Sequence, residues 1–117
     1  MTRSPVTVAE LNAFATWADR NLSDDERQAL IWYLAFNPLA GDVVPELHGL
    51  RKLRWRRPGM GKRGGYRVIY YFHDDRVPLF LMTAYAKSVQ EDLAPAEKRS
   101  LMKLVEGLRA RVKGKRP

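Results

Sequence analysis

The chain has 117 residues, and its 21 Lys and Arg against 13 Asp and Glu give a formal net charge of +8. The length fits one domain, and 45% hydrophobic residues are enough for a core. The chain has no Cys and only two His, which excludes disulfides, thiol nucleophiles and thiolate metal sites, and leaves no convincing zinc site. No apolar run approaches the roughly 20 residues of a membrane span, and the amino terminus lacks a signal pattern. We therefore expect a cytoplasmic protein without a membrane partner.

The positive charge is concentrated in the second half of the chain. Residues 1–47 contain seven acids and three bases, a net charge of −4, so the remainder carries +12. Eight bases and no acid fall between Arg51 and Arg67, and a second basic run lies at residues 109–116. Basic clusters interleaved with Trp and Tyr indicate a phosphate-rich partner, because each neutralised phosphate releases counterions. A solvated positive surface accounts for the charge about equally well.

The first forty residues have the pattern of two helices. Thr7 to Glu10 and Ser23 to Glu26 both match the capping box, in which a hydroxyl and a Glu side chain satisfy the first backbone amides of a helix. Apolar residues follow each box at helical spacing. Pro38 ends the second helix, because the residue before a proline avoids the helical region.

From residue 49 the hydrophobic period changes from helical to two, which predicts strands at 50–55, 66–72 and 79–86 in an antiparallel meander. Alternation puts Lys52 and Arg54 on one strand face, and antiparallel pairing with the second strand would bring them to Arg67. The third strand is almost wholly apolar, as expected of a central strand buried on both faces, and it ends at Tyr85 and Lys87.

A helix from about Pro95, with one apolar stripe through Val112, completes a predicted single α+β domain over residues 1–117. We expect the ends, 1–6 and 113–117, to fray.

Four segments occur in a fixed order along the chain: NPLAGDVVP at 37–45, GLRKLRW at 49–55, GKRGGYRVIYY at 61–71 and LMTAYAK at 81–87. Their order and spacing resemble the RelE/HigB-type toxins of bacterial type II toxin–antitoxin systems, and the likeness covers residues 23–112. The chain departs from that family in three places. Its first strand is short or absent, and Glu46, Leu47 and His48 precede Gly49 where relatives tend to have a glycine-rich turn. Residues 88–92 lack the carboxy-terminal tyrosine that some RelE proteins use.

The resemblance implies a RelE-like fold with two amino-terminal helices, an antiparallel meander and a carboxy-terminal helix. It further implies binding in the ribosomal A site, metal-independent cleavage of messenger RNA there and inhibition of translation. The implied partners are the ribosome, messenger RNA and a cognate antitoxin, often a helix-turn-helix protein encoded beside the toxin. Operator DNA would be contacted only through that antitoxin.

Cleaving RNA through its own 2′-hydroxyl requires a proton acceptor, charge stabilisation on the phosphorus and a proton donor for the leaving oxygen. His48 and His73 are each more typical of surface or capping histidines, so the candidates are Arg, Lys and Tyr. In the family's pattern, Arg67 matches the arginine that grips the scissile phosphate, and Lys87 lies where a cation follows the central strand. An arginine fork can hold two phosphate oxygens at once, and a lysine among cations can exchange a proton.

The predicted catalytic residues are Arg67, Lys87, Lys52, Arg54 and Tyr85. The predicted RNA-binding residues are Arg51, Arg56, Arg57, Lys62, Arg63 and Tyr70. We expect no metal and no cofactor.

Two alternatives remain open from the sequence. ParE-type relatives share this architecture and poison DNA gyrase, although the basic strand pair and Lys87 favour RNA. An inactive toxin homologue would use its basic face only to bind nucleic acid or an antitoxin.

Overall fold

The structure, a computed structural model, describes residues 4–56 and 65–114, with only the backbone described at 113 and 114. The described residues have an α+β architecture, with three α-helices, one 3-10 helix and a five-stranded sheet. In chain order the elements are β1 (Val8–Glu10), α1 (Asn12–Asn21), α2 (Asp24–Phe36), β2 (Asp42–Val43), the 3-10 helix (Pro45–Leu47), β3 (Arg51–Trp55), β4 (Tyr66–Tyr71), β5 (Leu79–Ala86) and α3 (Pro95–Gly114).

The sheet is mixed, with strand order β1-β5-β4-β3-β2. Strands β3, β4 and β5 form the predicted antiparallel meander. The prediction of a wholly antiparallel sheet is wrong at one edge, because β1 pairs in parallel with β5 from Val8 opposite Leu79 to Glu10 opposite Leu81. The first strand is present but only three residues long.

The capping box predicted at Thr7 is wrong, because this segment is a strand and α1 begins at Asn12 instead. The Thr7 carbonyl accepts from the Leu79 amide at 2.8 Å, so β5 already supplies a backbone partner. Glu10, which would have closed the box, binds the Arg27 guanidinium through both carboxylate oxygens at 2.7 and 2.8 Å. A tertiary contact has overridden the local motif.

The second capping box is confirmed. Ser23 Oγ accepts from the Glu26 amide at 3.1 Å, and Glu26 Oε1 accepts from the Ser23 amide at 2.8 Å. As predicted, α2 ends at Phe36, just before Asn37 and Pro38. Near the amino terminus, where fraying was expected, Val6 is instead buried and its amide donates to the Ala35 carbonyl at 2.9 Å. The backbone of α3 likewise continues to Gly114.

The two faces of the sheet carry separate apolar cores. On the first, which we call the α1–α2 face, Phe14 and Leu30 pack on Leu53, Val68 and their neighbours. On the second, the α3 face, Leu101 and Val105 pack on Ile69, Met82 and Tyr85. Of the helices in the described part of the chain, none combines the length and apolar character needed to cross a bilayer.

Candidate nucleic-acid interface

Three cations predicted for the site lie on the α3 face of paired strands. In the β3–β4 register Lys52 is opposite Ile69 and Arg54 is opposite Arg67. Residues that are directly opposite share a face, and Ile69 belongs to the core beneath α3, so these cations point to the same side. We call Lys52, Arg54 and Arg67 the basic row.

The basic row has little internal compensation for its charge. Within the described residues Lys52 and Arg54 make no side-chain hydrogen bond or ion pair, and Arg67 Nη1 donates only to the Tyr66 carbonyl at 3.4 Å. Like charges placed directly opposite on a sheet repel each other. The row is therefore suited to an anion with several oxygens, since an arginine fork can hold two of them.

Tyr85 stands beside the basic row. It lies directly opposite Arg67 on β5 and is only 4% exposed. Burial raises the pKa of the Tyr85 phenol above its ordinary value of 10.0, and the nearby carboxylate of Asp92 raises it further, while Arg67 acts in the opposite direction. The phenol is thus neutral at physiological pH and can donate a proton or hydrogen bond.

An acidic cluster that the sequence did not indicate borders the row. Asp92 Oδ2 lies 2.9 Å from Lys98 Nζ, and Glu46 Oε1 lies 3.3 Å from the same nitrogen. The hydrogen bond from Lys98 lowers the pKa of the Asp92 carboxyl, and the charge of Lys52 adds to this effect. The sequence pattern did not indicate that Asp92 acts on Lys52, because Asp92 is held in place by Lys98 of the docked helix α3.

Lys87 lies just beyond β5, at the same end of the sheet as Arg67. Its amide donates to the Gly65 carbonyl at 3.2 Å, which continues the β4–β5 ladder by one step. Its ammonium donates to the Glu91 carbonyl at 2.8 Å and lies 3.0 Å from the Glu91 carboxylate. The charge of Lys87 is therefore partly compensated, unlike that of the basic row.

Two predicted RNA-binding residues are placed elsewhere. Arg51 and Tyr70 are directly opposite each other and alternate with Lys52 and Ile69, so they point to the α1–α2 face. Arg51 Nη1 donates to the Gly41 carbonyl at 2.7 Å. The Tyr70 side chain is 0% exposed, and its hydroxyl joins the Pro38 carbonyl to the Gly41 amide at 2.8 Å each. Neither side chain reaches the basic row, because strand alternation sends both to the opposite face.

The remaining predicted contacts flank the loop between β3 and β4. Arg56 is exposed immediately after β3. Arg57, Lys62 and Arg63 lie outside the described residues.

The two histidines make local contacts away from the basic row. His48 Nδ1 lies 3.2 Å from Glu106 Oε1, and His73 Nδ1 lies 3.3 Å from the Tyr71 hydroxyl. Among the described residues, no three His, Asp or Glu side chains form a group that could hold a metal ion.

Compared with models of known protein families, the chain matches none. The described site combines two arginines, a lysine and a neutral phenol on one sheet face. Such a set can bind a phosphodiester, stabilise negative charge on its oxygens and supply a proton to a leaving oxygen.

Proposed function

We propose that the protein is a RelE-like toxin of a type II toxin–antitoxin system, a ribosome-dependent messenger RNA endoribonuclease neutralised by a cognate antitoxin. The observation that carries the proposal is the cross-strand pair Arg54 and Arg67, with Lys52 on the same face. Cations that are aligned on neighbouring strands and make no ion pair within the described residues suit a polyanionic backbone better than a neutral ligand.

In the proposed mechanism, Arg54 and Arg67 hold the scissile phosphate and stabilise the charge that develops on its oxygens. Solvent water takes the proton of the 2′-hydroxyl, the 2′-oxygen attacks phosphorus, and the bond to the 5′-oxygen breaks, which leaves a 2′,3′-cyclic phosphate. The neutral phenol of Tyr85 protonates the leaving 5′-oxygen and regains its proton from water. Lys52 and Lys87 bind the flanking phosphates. Alignment of the nucleotide would come from the ribosome, so cleavage of free RNA would be slow.

Messenger 5′ ends mapped after brief induction test the proposal. We expect new ends in phase with codons for the wild type and their loss in Arg67→Ala. The matched control is Arg76→Ala, because Arg76 sits in the turn at the far end of β4 and β5 and pairs there with Asp74 at 2.7 Å.

The other outcomes identify the alternatives. DNA-damage signalling without messenger cleavage would indicate gyrase as the target. RNA or antitoxin binding with neither effect would indicate an inactive binding module. Full activity of Arg67→Ala would show that the site assignment is wrong.

A further inference from the structure

Strand β5 is longer than its neighbour β1, and this leaves part of its outer edge uncovered. Pairing with β1 covers only Leu79 to Leu81, whereas pairing with β4 continues to Ala86. The register places a bulge at Met82, because Leu81 is opposite Tyr70 and Thr83 is opposite Ile69. Beyond the bulge, residues 83–86 pair with β4 on one side and, within the described chain, with no strand on the other. We call this side of residues 83–86 the open edge.

This open edge carries neither the charged side chains nor the proline that block strand addition at many sheet edges. Residues 82–86 are Met, Thr, Ala, Tyr and Ala, with no charge and no proline. The opposite edge of the sheet is instead formed by β2, which has two residues. In an antiparallel pair alternate residues turn their N–H and C=O groups away from the partner, so the open edge presents backbone groups outward. Only its far end is closed, where the Ala86 carbonyl accepts from the amides of Val89 and Gln90.

The open edge lies along a groove. Two cavities of about 670 and 290 Å³ adjoin it, and both are lined by Ala13, Thr83 and Glu97. Helix α1 forms one wall of this groove, while residues 89–90 and the first turns of α3 form the other. Two apolar side chains on the second wall are exposed to solvent, Val89 at 79% and Leu104 at 47%. A bound segment would bury them.

The shape of the groove decides between occupants. To pair with this edge, a second copy of this chain would have to present its own open edge. In each copy that edge lies between α1 and α3, so the helices would keep the two edges apart. A single extended segment has no such walls and can enter. Outward N–H and C=O groups require a backbone partner, and contact with the exposed Val89 and Leu104 favours small apolar side chains at alternate positions.

We propose that the groove takes an extended peptide segment of a partner protein, which adds to β5 as a strand beyond the end of β1. The segment carries small apolar side chains at every second position. This inference does not rest on the proposed function, because neither the basic row nor RNA enters it.

The probe is a synthetic peptide of alternating threonine and valine with a lysine at each end, titrated into isotope-labelled protein. We expect saturable NMR shifts at the amides of residues 82–86 and along both groove walls. A peptide N-methylated at alternate amides keeps its side chains but loses the ladder hydrogen bonds, so we expect it not to bind. Equal binding by the N-methylated peptide, or no shift in large excess of the parent peptide, would overturn the proposal.

Ala13→Arg tests the location, because Ala13 is exposed on α1 and lines both cavities. We expect binding of the parent peptide to weaken by about tenfold or more. Ala110→Arg is the matched control, an identical substitution at an exposed position of α3 outside both cavity linings, and it should bind normally. Unchanged binding by Ala13→Arg contradicts the proposal. So does a wild-type dimer, seen by sedimentation, that Ala13→Arg dissociates, because the occupant would then be a second copy.

Discussion

Arg54 and Arg67 lie directly opposite each other on β3 and β4, and no acidic side chain in the described part of the chain forms an ion pair with either. Opposed like charges on a sheet cost stability, so we expect this pair to serve binding at the expense of folding. The repulsion should be relieved when either arginine is removed or when an anion occupies the pair.

The first prediction follows from that repulsion. Arg54→Ala and Arg67→Ala should each raise the free energy of unfolding at low salt by roughly 0.2–1 kcal/mol, because each removes one of two opposed charges. Urea denaturation with and without sulfate measures the effect, and sulfate should stabilise the wild type more than either variant. Arg76→Ala, which removes an arginine paired with Asp74, should show no gain. Loss of stability in both Arg54→Ala and Arg67→Ala would show that the pair does not repel.

The second prediction concerns adjacent residues on opposite faces. Lys52→Met should lower the salt dependence of single-stranded RNA binding by roughly 0.7 in the slope of log affinity against log salt, because one phosphate contact is lost. Arg51→Met should leave that slope unchanged, because Arg51 bonds the Gly41 carbonyl on the other face. Fluorescence anisotropy with a labelled oligonucleotide measures both slopes. Equal changes in the two variants would mean that the RNA does not select the α3 face.

The third prediction uses opposing charges around one phenol. The Tyr85 pKa is raised by burial and by Asp92 and lowered by Arg67. Asp92→Asn should therefore lower the Tyr85 pKa, and Arg67→Ala should raise it. Ring-carbon NMR of labelled tyrosine against pH measures both shifts. Shifts of the same sign in the two variants would contradict the placement of Tyr85 between these charges.

The same shift has a consequence for stability. A raised pKa in the folded chain means that Tyr85 holds its proton to higher pH than in the unfolded chain, where it titrates near about 10. Its contribution is complete below that pH and is lost as pH rises through the folded value. Tyr85→Phe should therefore flatten the alkaline decline in unfolding free energy.

The basic row could be predicted because strand alternation and antiparallel pairing are local rules. Lys52, Arg54 and Arg67 follow from the period of two and from the position of the loop between the strands. Strand β1 could not be predicted, because Thr7 to Glu10 satisfies a helix-start motif and only the distant strand β5 decides against it. Asp92 could not be identified from the sequence for a related reason. Its position near the basic row depends on the docking of α3, whose Lys98 holds the Asp92 carboxylate.

The last prediction separates a buried tyrosine from an RNA-stacking one. The Tyr70 hydroxyl donates to the Pro38 carbonyl and accepts from the Gly41 amide, both at 2.8 Å, on the α1–α2 face. Tyr70→Phe should lower the free energy of unfolding by about 1–3 kcal/mol, because the buried Gly41 amide loses its partner.

Gly41→Ala tests the same contact from its other side. A Cβ at Gly41 would lie 2.8 Å from Tyr70 Cε1 and 3.1 Å from the backbone of Lys52, so this variant should also be destabilised. Tyr33→Phe is the matched control, because Tyr33 is 41% exposed on α2, and it should change stability little. Chemical denaturation measures all three variants, and RNA binding of Tyr70→Phe should equal that of the wild type wherever the protein is folded. A folded Tyr70→Phe protein with normal stability and weakened RNA binding would restore Tyr70 to the RNA-binding surface.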